Sequence, residues 1–318
     1  KGHQKSFMKL YKYLSTDAAT AFLTEPTLRL SQNNSQNDPF EVLPTGIDIN
    51  KIKDVSQETI KICGREFNSH RDINPYLDLY GYVSLSKNKE SMPMWGNYAT
   101  NSKGILVEFE VDEEDPFSIF DINKTNDIEA YLSDNVIYNR ERSYSKNITT
   151  LSDEEVNNFS KHYFFSKHES WKHEEEYRFA LPFTNCNKVI TLGNSNETKN
   201  KLSSLGYKGD LREKINDLSN VFFLAGFCEN DLSRWNSVWR NYEAYQVMFL
   251  IKVNPSKISK IYLGVNSDVK KMKEAIIEGT KLASGNRGRF YNSYENFRNV
   301  YKCKLDSNLF ELKYEKLT

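Results

Sequence analysis

The chain is expected to fold as an α+β protein on a mixed, mainly antiparallel split sheet with flanking helices. Three observations carry that expectation. Short segments that alternate aromatic or branched residues with polar ones recur along the chain, from Met8–Leu14 to Leu309–Tyr314, and that period belongs to half-buried strands. Few of them are separated by a stretch long enough for a crossover helix, which disfavours a purely parallel sheet. The chain also opens on a strand, helix, strand unit: Met8–Leu14, Ala18–Leu23 and Leu28–Ser31.

The elements follow in order. Ser15-Thr16-Asp17 is a helix start and Pro26 a stop. The Asn-rich stretch Gln32–Asp38 is a loop; it closes on Asn37-Asp38-Pro39-Phe40-Glu41, where a turn or a helix beginning on Pro39 is expected. Gly81–Ser86 reads as a strand. Met92–Ala99 reads as a short helix that packs Trp95 and Tyr98 inward. Lys103–Val111 is a strand, and Asn135–Tyr138 a shorter one. Ser152 and Glu155 have capping-box spacing, so a helix is expected from there to about Lys167. Residues 183–215 are polar, and about 185–215 is expected to be an insertion in a single domain covering 1–318. Leu218–Phe227 is largely apolar, Asp231–Trp239 helical, and Val247–Val253 and Ile258–Gly264 strands. Asp268–Ala283 is an amphipathic helix with a Ser267 cap. A hairpin through Asp306-Ser307-Asn308 ends the pattern.

Composition narrows the function classes. The 318 residues carry 43 basic and 43 acidic side chains, so no whole-protein field draws the chain onto nucleic acid or an anionic membrane. No apolar run is long enough to span a bilayer, no secretion signal opens the chain, and a cytoplasmic location is expected. Cys63, Cys186, Cys228 and Cys303 have neither zinc-ligand nor redox spacing, so free thiols are expected. Phosphate-loop, dinucleotide, metalloprotease and nucleophile-elbow motifs are missing. His162, His168 and His173 are close in sequence but fall on different elements, and no metal is expected.

The most distinctive stretch is Trp171-Lys172-His173-Glu174-Glu175-Glu176-Tyr177-Arg178. Read as a strand from Glu174, it puts Glu174, Glu176 and Arg178 on one face and Glu175 on the other. An arginine beside two carboxylates offers them a counter-charge. Such a row is either a solvated strand face or a site, and the residues alone leave both open.

Several pieces, taken in order, resemble one largely bacterial family, domain of unknown function 2971. They are Leu10-Tyr11-Lys12-Tyr13, Asn37-Asp38-Pro39-Phe40-Glu41, Met94-Trp95-Gly96-Asn97-Tyr98-Ala99 with Lys103-Gly104, Lys167 with Trp171-x-x-Glu174-x-Glu176-x-Arg178, and Ile261-Tyr262-Leu263-Gly264. A more remote resemblance, to ADP-ribosyltransferase-like folds, rests on Tyr11-Lys12-Tyr13, Ser31 and Glu174-x-Glu176 at comparable places. It implies an enzyme that uses NAD as substrate and modifies a macromolecule, protein or nucleic acid, in the manner of a toxin or anti-phage effector, with an inhibitor or antitoxin protein as a further partner and no membrane involved. Glu176 would then be the catalytic carboxylate and Glu174 its support. One would stabilise an oxocarbenium-like charge, the other deprotonate or orient the acceptor. Tyr11, Lys12, Tyr13, Ser31, Asn37, Asp38, Glu41, Trp95, Tyr98 and Arg178 would line the NAD site, with Lys12 or Arg178 on the pyrophosphate. The rival expectations are an NAD glycohydrolase and a non-enzymatic regulatory or interaction module.

Overall fold

The computed structural model describes residues 6–53, 59–62, 65–68, 77–122, 131–146, 153–191, 200, 220–223, 232–284 and 299–317. The first strand, β1 (Phe7–Leu14), has two faces. Leu10 and Leu14 enter the main core, while Tyr11 and Tyr13 join a separate aromatic cluster, the outcome that strand alternation dictates. Ser15 then caps helix α1 (Thr16–Thr24) by accepting from the Ala18 N–H, and the helix buries Ala19, Phe22 and Leu23. Strand β2 (Thr27–Arg29) follows, and α2 (Gly46–Lys53) is the next helix.

The remaining strands are β3 (Thr59–Ile62), β4 (Arg65–Asn68), β5 (Tyr80–Ser86), β6 (Ile105–Asp112), β7 (Leu132–Asn135), β8 (Ile137–Asn139) and β9 (Ser166–His168). After them come β10 (Glu176–Pro182), β11 (Lys188–Thr191), β12 (Asn220–Phe223), β13 (Val247–Lys252), β14 (Ile258–Leu263), β15 (Val300–Leu305) and β16 (Leu312–Lys316). Helices α3 (Met92–Asn97), α4 (Asp153–Phe164), α5 (Leu232–Arg240), α6 (Tyr242–Tyr245) and α7 (Val269–Ser284) complete the described elements.

Eight strands form the large sheet in the order β16-β15-β14-β6-β1-β5-β10-β7. Its pairs are antiparallel except β14 with β15. A second, antiparallel sheet has the order β12-β11-β13-β2. Both contribute to one core: Leu10, Phe109 and Phe179 of the large sheet belong to the same buried cluster as Leu28, Val189 and Phe249 of the second. A mainly antiparallel α+β architecture is thus present, as the alternation pattern predicts.

The feature that positions the site is a split. β1 is paired with β6 along its whole length, Phe7 to Leu14, but with β5 only at Tyr11↔Ser86. Farther along, Ser31 replaces β1 as the neighbour of β5, exchanging two main-chain hydrogen bonds of 2.9 Å with Tyr82. Between those two bridges β5 keeps its outer neighbour, β10, in unbroken register from Ser86↔Glu176 to Tyr80↔Pro182. A gap therefore opens on the inner side of β5. The Lys12 ammonium crosses it and donates to the Ser84 carbonyl at 2.8 Å.

Two glycines hold the adjoining end of the sheet. A Cβ on Gly104 would stand 1.9 Å from the Leu14 carbonyl oxygen, and one on Gly264 would stand 2.2 Å from that of Ser102. The Gly264 N–H in turn donates to the Gly104 carbonyl at 3.0 Å. Only residues without a side chain permit these approaches.

Several sequence expectations are corrected. Glu174 does not begin a strand. It ends a 3-10 helix (Glu169–Glu174), Glu175 adopts a left-handed conformation with φ 44° and ψ 51°, and β10 starts at Glu176. No helix starts at Pro39, because the Asp38 carboxylate accepts from the Phe40 N–H at 3.0 Å and holds a turn there. Helix α4 stops at Phe164, and Lys167 belongs to β9. Asp268 rather than Ser267 caps α7, accepting from the Lys271 N–H at 3.0 Å. Within the expected insertion, Lys188–Thr191 is an inner strand of the second sheet, while residues 201–215 lie outside the described residues. Cys186 and Cys303 are free and buried; Cys63 and Cys228 lie outside the described residues.

Candidate active site

A cavity of about 210 Å3 occupies the split. Tyr11, Lys12 and Tyr13 reach it from β1, Arg29 and Ser31 from the end of β2, and Ser84 and Ser86 from β5. Gln36 and Asn37 come from the following loop, Tyr98 from the C-cap of α3, Lys167 from β9, Glu174 from the end of the 3-10 helix and Glu176 from the start of β10. Residues far apart in sequence meet here because the two sheets converge on β5.

The acidic wall is held in place by cations. Arg178 grips Glu176 with two hydrogen bonds, Nε to Oε1 at 2.7 Å and Nη2 to Oε2 at 2.9 Å. It also contacts Glu41 and donates to the Phe164 carbonyl at 2.8 Å. Lys167 Nζ lies 2.6 Å from Glu174, 3.5 Å from Glu176 and 3.7 Å from Glu41, and 4.9 Å from the centre of the Trp171 ring. Burial by itself would raise the Glu176 carboxyl, but the Arg178 guanidinium outweighs it and holds the group down at about 2. The Tyr138 hydroxyl accepts the Glu176 N–H at 2.8 Å. Burial works against the Lys167 ammonium too, and Glu176, Glu41 and Glu174 together keep its pKa above the ordinary lysine value.

Glu174 carries a second set of contacts. The Tyr98 hydroxyl donates to it in a short hydrogen bond, and Asn37 Nδ2 donates to that same hydroxyl at 2.9 Å. Burial, then the neighbouring Glu174, push the Tyr98 phenol up, so it remains protonated and a donor. The left-handed Glu175 costs about 1–2 kcal/mol of backbone strain. It sends its own carboxylate outward to Asn88 at 2.8 Å, leaving Glu174 and Glu176 together on the cavity wall.

Lys12 faces this wall. Burial pushes its ammonium down from 10.5 to about 8, against the pull of Glu176 and Glu174; Arg29 and Lys167 push the same way as burial. Between about pH 8 and 10.5 the folded chain has released this proton while the unfolded chain retains it. The unfolded state then binds more protons, so the Lys12 contribution to stability rises with pH in that window. Relative to wild type, Lys12→Met is expected to lose stability from about pH 8 to 10.5, read as urea midpoints. The lost hydrogen bond to Ser84 offsets all points equally, so a flat difference would contradict the burial.

Of the residues proposed from sequence, Tyr11, Lys12, Tyr13, Ser31, Asn37, Tyr98, Glu174 and Glu176 line the cavity. Four do not. Arg178 is fully enclosed, its guanidinium engaged by Glu176, Glu41 and a main-chain carbonyl, and so stands behind the cavity wall rather than on it. Trp95 belongs to the core: its ring meets Tyr13 edge-on at 5.3 Å and its N–H donates to the Lys89 carbonyl at 3.2 Å. Asp38 and Glu41 line a separate cavity of about 170 Å3, which also touches Lys167.

Arg29, Gln36 and Lys167 were not among the proposed site residues. Arg29 precedes Ser31 by two positions in a short extended segment, so alternation alone puts the two on one side. Lys167 already stands within the ordered motifs. Gln36 gives no local signal, since a loop has no period.

The comparison with known families bears on this region. Residues 94–179 resemble the family described as "Protein of unknown function (DUF2971)". This is less than half of the chain, but it contains Tyr98, Lys167, Glu174, Glu176 and Arg178. The DUF2971 match does not extend to Leu10–Tyr13, Asn37–Glu41 or Ile261–Gly264. No curated protein and no solved structure matches the chain significantly. Among the described residues, no helix is long and apolar enough to cross a membrane, and no cluster of His, Cys, Asp or Glu has the makings of a metal site.

Proposed function

We propose that the chain is an ADP-ribosyltransferase-like enzyme that cleaves NAD in the split between β1 and β5. The observation that carries the reading is a pair of carboxylates, Glu174 and Glu176, lining one cavity together with Lys12, Arg29, Tyr11, Tyr13 and Tyr98. At about 210 Å3, the cavity is smaller than pockets that enclose drug-sized ligands, which span roughly 300–1,000 Å3. It suits the nicotinamide riboside end of NAD, with the remainder toward the opening.

The chemistry follows from the charges. Breaking the bond between C1′ of the ribose and the nicotinamide nitrogen leaves both bonding electrons on nicotinamide, which departs neutral. Positive charge then grows on the ribose. Glu176 carries a fixed negative charge at every ordinary pH and stabilises that cation electrostatically without supplying a proton. Glu174, beside Tyr98 and Lys167, takes the proton of the acceptor as the acceptor's oxygen or nitrogen bonds to C1′. The tyrosines offer aromatic surface to the nicotinamide ring.

The direct test is incubation with NAD labelled in its adenylate half, with and without a bacterial lysate, while following free nicotinamide and labelled macromolecule. Labelled protein or nucleic acid is the expected result, and growth arrest on expression is expected if the enzyme is a toxin or defence effector. Nicotinamide release with only free ADP-ribose would make it a glycohydrolase. No binding and no consumption of NAD would sink the enzyme reading in favour of an interaction module.

A further inference from the structure

The cavity is lined by two chemically opposite sets of side chains. Glu174 and Glu176 make one. A second set, from Arg29 at the end of β2 and the stretch after it, presents donors to the same cavity: Arg29, Gln36 and the Ser31 hydroxyl. Arg29 is held by its neighbours, with its guanidinium carbon 5.5 Å from the centre of the Tyr242 ring. Arg29 Nε and Gln36 Nε2 are shielded from water, and neither has a hydrogen-bond partner among the described residues. A buried donor left unpaired costs about 1–3 kcal/mol. Two of them lining one cavity call for an acceptor that a ligand there can supply. Lys12 adds charge to the same cavity, near enough to Arg29 to feel its charge, and one of its three N–H groups goes to the Ser84 carbonyl, leaving two. The opposing carboxylates are already matched by Arg178 and Lys167, so the charge of Arg29 is not cancelled across the cavity.

We infer that Arg29 and Gln36, assisted by Lys12, form an anion subsite that takes a phosphate or diphosphate, so the ligand of the cavity is phosphorylated. A guanidinium fork suits phosphate oxygens because it donates two parallel hydrogen bonds, and a primary amide adds a third without a charge of its own. The assignment deepens the NAD reading, in which the group held would be the diphosphate. The anion subsite itself rests on the orphaned donors and not on that reaction.

Calorimetry separates the two ideas. The probes are ADP-ribose, inorganic pyrophosphate and nicotinamide riboside, titrated into the wild-type chain and into Arg29→Gln and Gln36→Glu. ADP-ribose and pyrophosphate are expected to bind wild type and to weaken about 10- to 100-fold in either variant, the range for hydrogen bonds to charged groups. Nicotinamide riboside, which lacks phosphate, is expected to bind all three proteins alike. Should Arg29→Gln fail to fold for want of its contact with Tyr242, Gln36→Glu decides, since it alters a loop and brings a negative charge to the subsite. Failure of both phosphorylated probes to bind wild type overturns the subsite, as does equal binding to wild type and Gln36→Glu. Pyrophosphate binding that depends on Gln36, in a protein that neither binds nor cleaves NAD, would leave the subsite standing and remove the NAD reading alone.

Discussion

Arg178→Ala is expected to cost about 3–5 kcal/mol of folding stability, the range for removing one partner of a buried ion pair. The loss exceeds that of an ordinary surface arginine because nothing replaces what is removed. Arg178 is fully buried and holds two carboxylates, Glu176 and Glu41, that are themselves nearly inaccessible. Without the guanidinium both lie in a poorly hydrated interior. Glu41 is already pushed up by burial despite Arg178 and Lys167, so it would protonate first. Glu176 has farther to go, from about 2 against an ordinary 4.5. A carboxylate with a depressed folded pKa contributes stability above its unfolded pKa and loses it as pH falls through the folded one. The gap in urea midpoint between wild type and Arg178→Ala is therefore expected to be widest near neutrality and to narrow from about pH 4.5 toward 2. A gap that does not change across that range would mean the arginine acts through packing rather than charge.

Glu174→Gln is expected to lower NAD turnover about 10²- to 10³-fold, the effect of removing one well-placed electrostatic group, while leaving the fold intact. The amide keeps the shape of the side chain, and its oxygen still accepts from Tyr98 or Lys167, which now hold Glu174. The chain also relies on Glu174 less than on Glu176, because Arg178 does not touch it. Glu176→Gln is expected to abolish turnover and to lower the melting temperature as well, since Arg178 then loses one of its two counter-charges. The pair thus separates chemistry from architecture. Turnover by Glu174→Gln at the wild-type rate would remove Glu174 from the reaction and leave Glu176 to act alone.

The cavity explains why some of the site was legible before any coordinates and some was not. Tyr11, Lys12 and Tyr13 are consecutive, yet all three reach the cavity. A flat strand would turn Lys12 to the opposite face from its neighbours. The parting of β1 from β5 lets the lysine reach through the gap, and no pattern along the chain encodes that parting. Arg178 shows the opposite failure. Its place two residues after Glu176 is visible in the sequence and suggests a shared site. Two coaxial residues on one face do share an environment, but whether the second opens to a ligand depends on what packs over it. Here that is Glu41, from a turn far back in the chain.

The acidic stretch itself was half legible. Spacing identifies Glu174 and Glu176 as a pair and sets Glu175 aside, and the structure agrees on both counts by a different route, a left-handed residue instead of a continuous strand. Trp95 and Tyr98, three apart on one short helix, illustrate the same limit. One is a core side chain and the other reaches the cavity, although the sequence pattern sends both inward.

The sequence by itself determined the strand alternation, the helix start at Ser15, the two glycines at the ends of β-segments, and the pairing of Glu174 with Glu176. All of these are local, set by a few neighbouring residues and their preferred dihedrals. The tertiary structure alone decided which charges neutralise one another. Glu176 is matched by Arg178 and Glu174 by Lys167, because burial and distance, not order along the chain, set the strength of each pair.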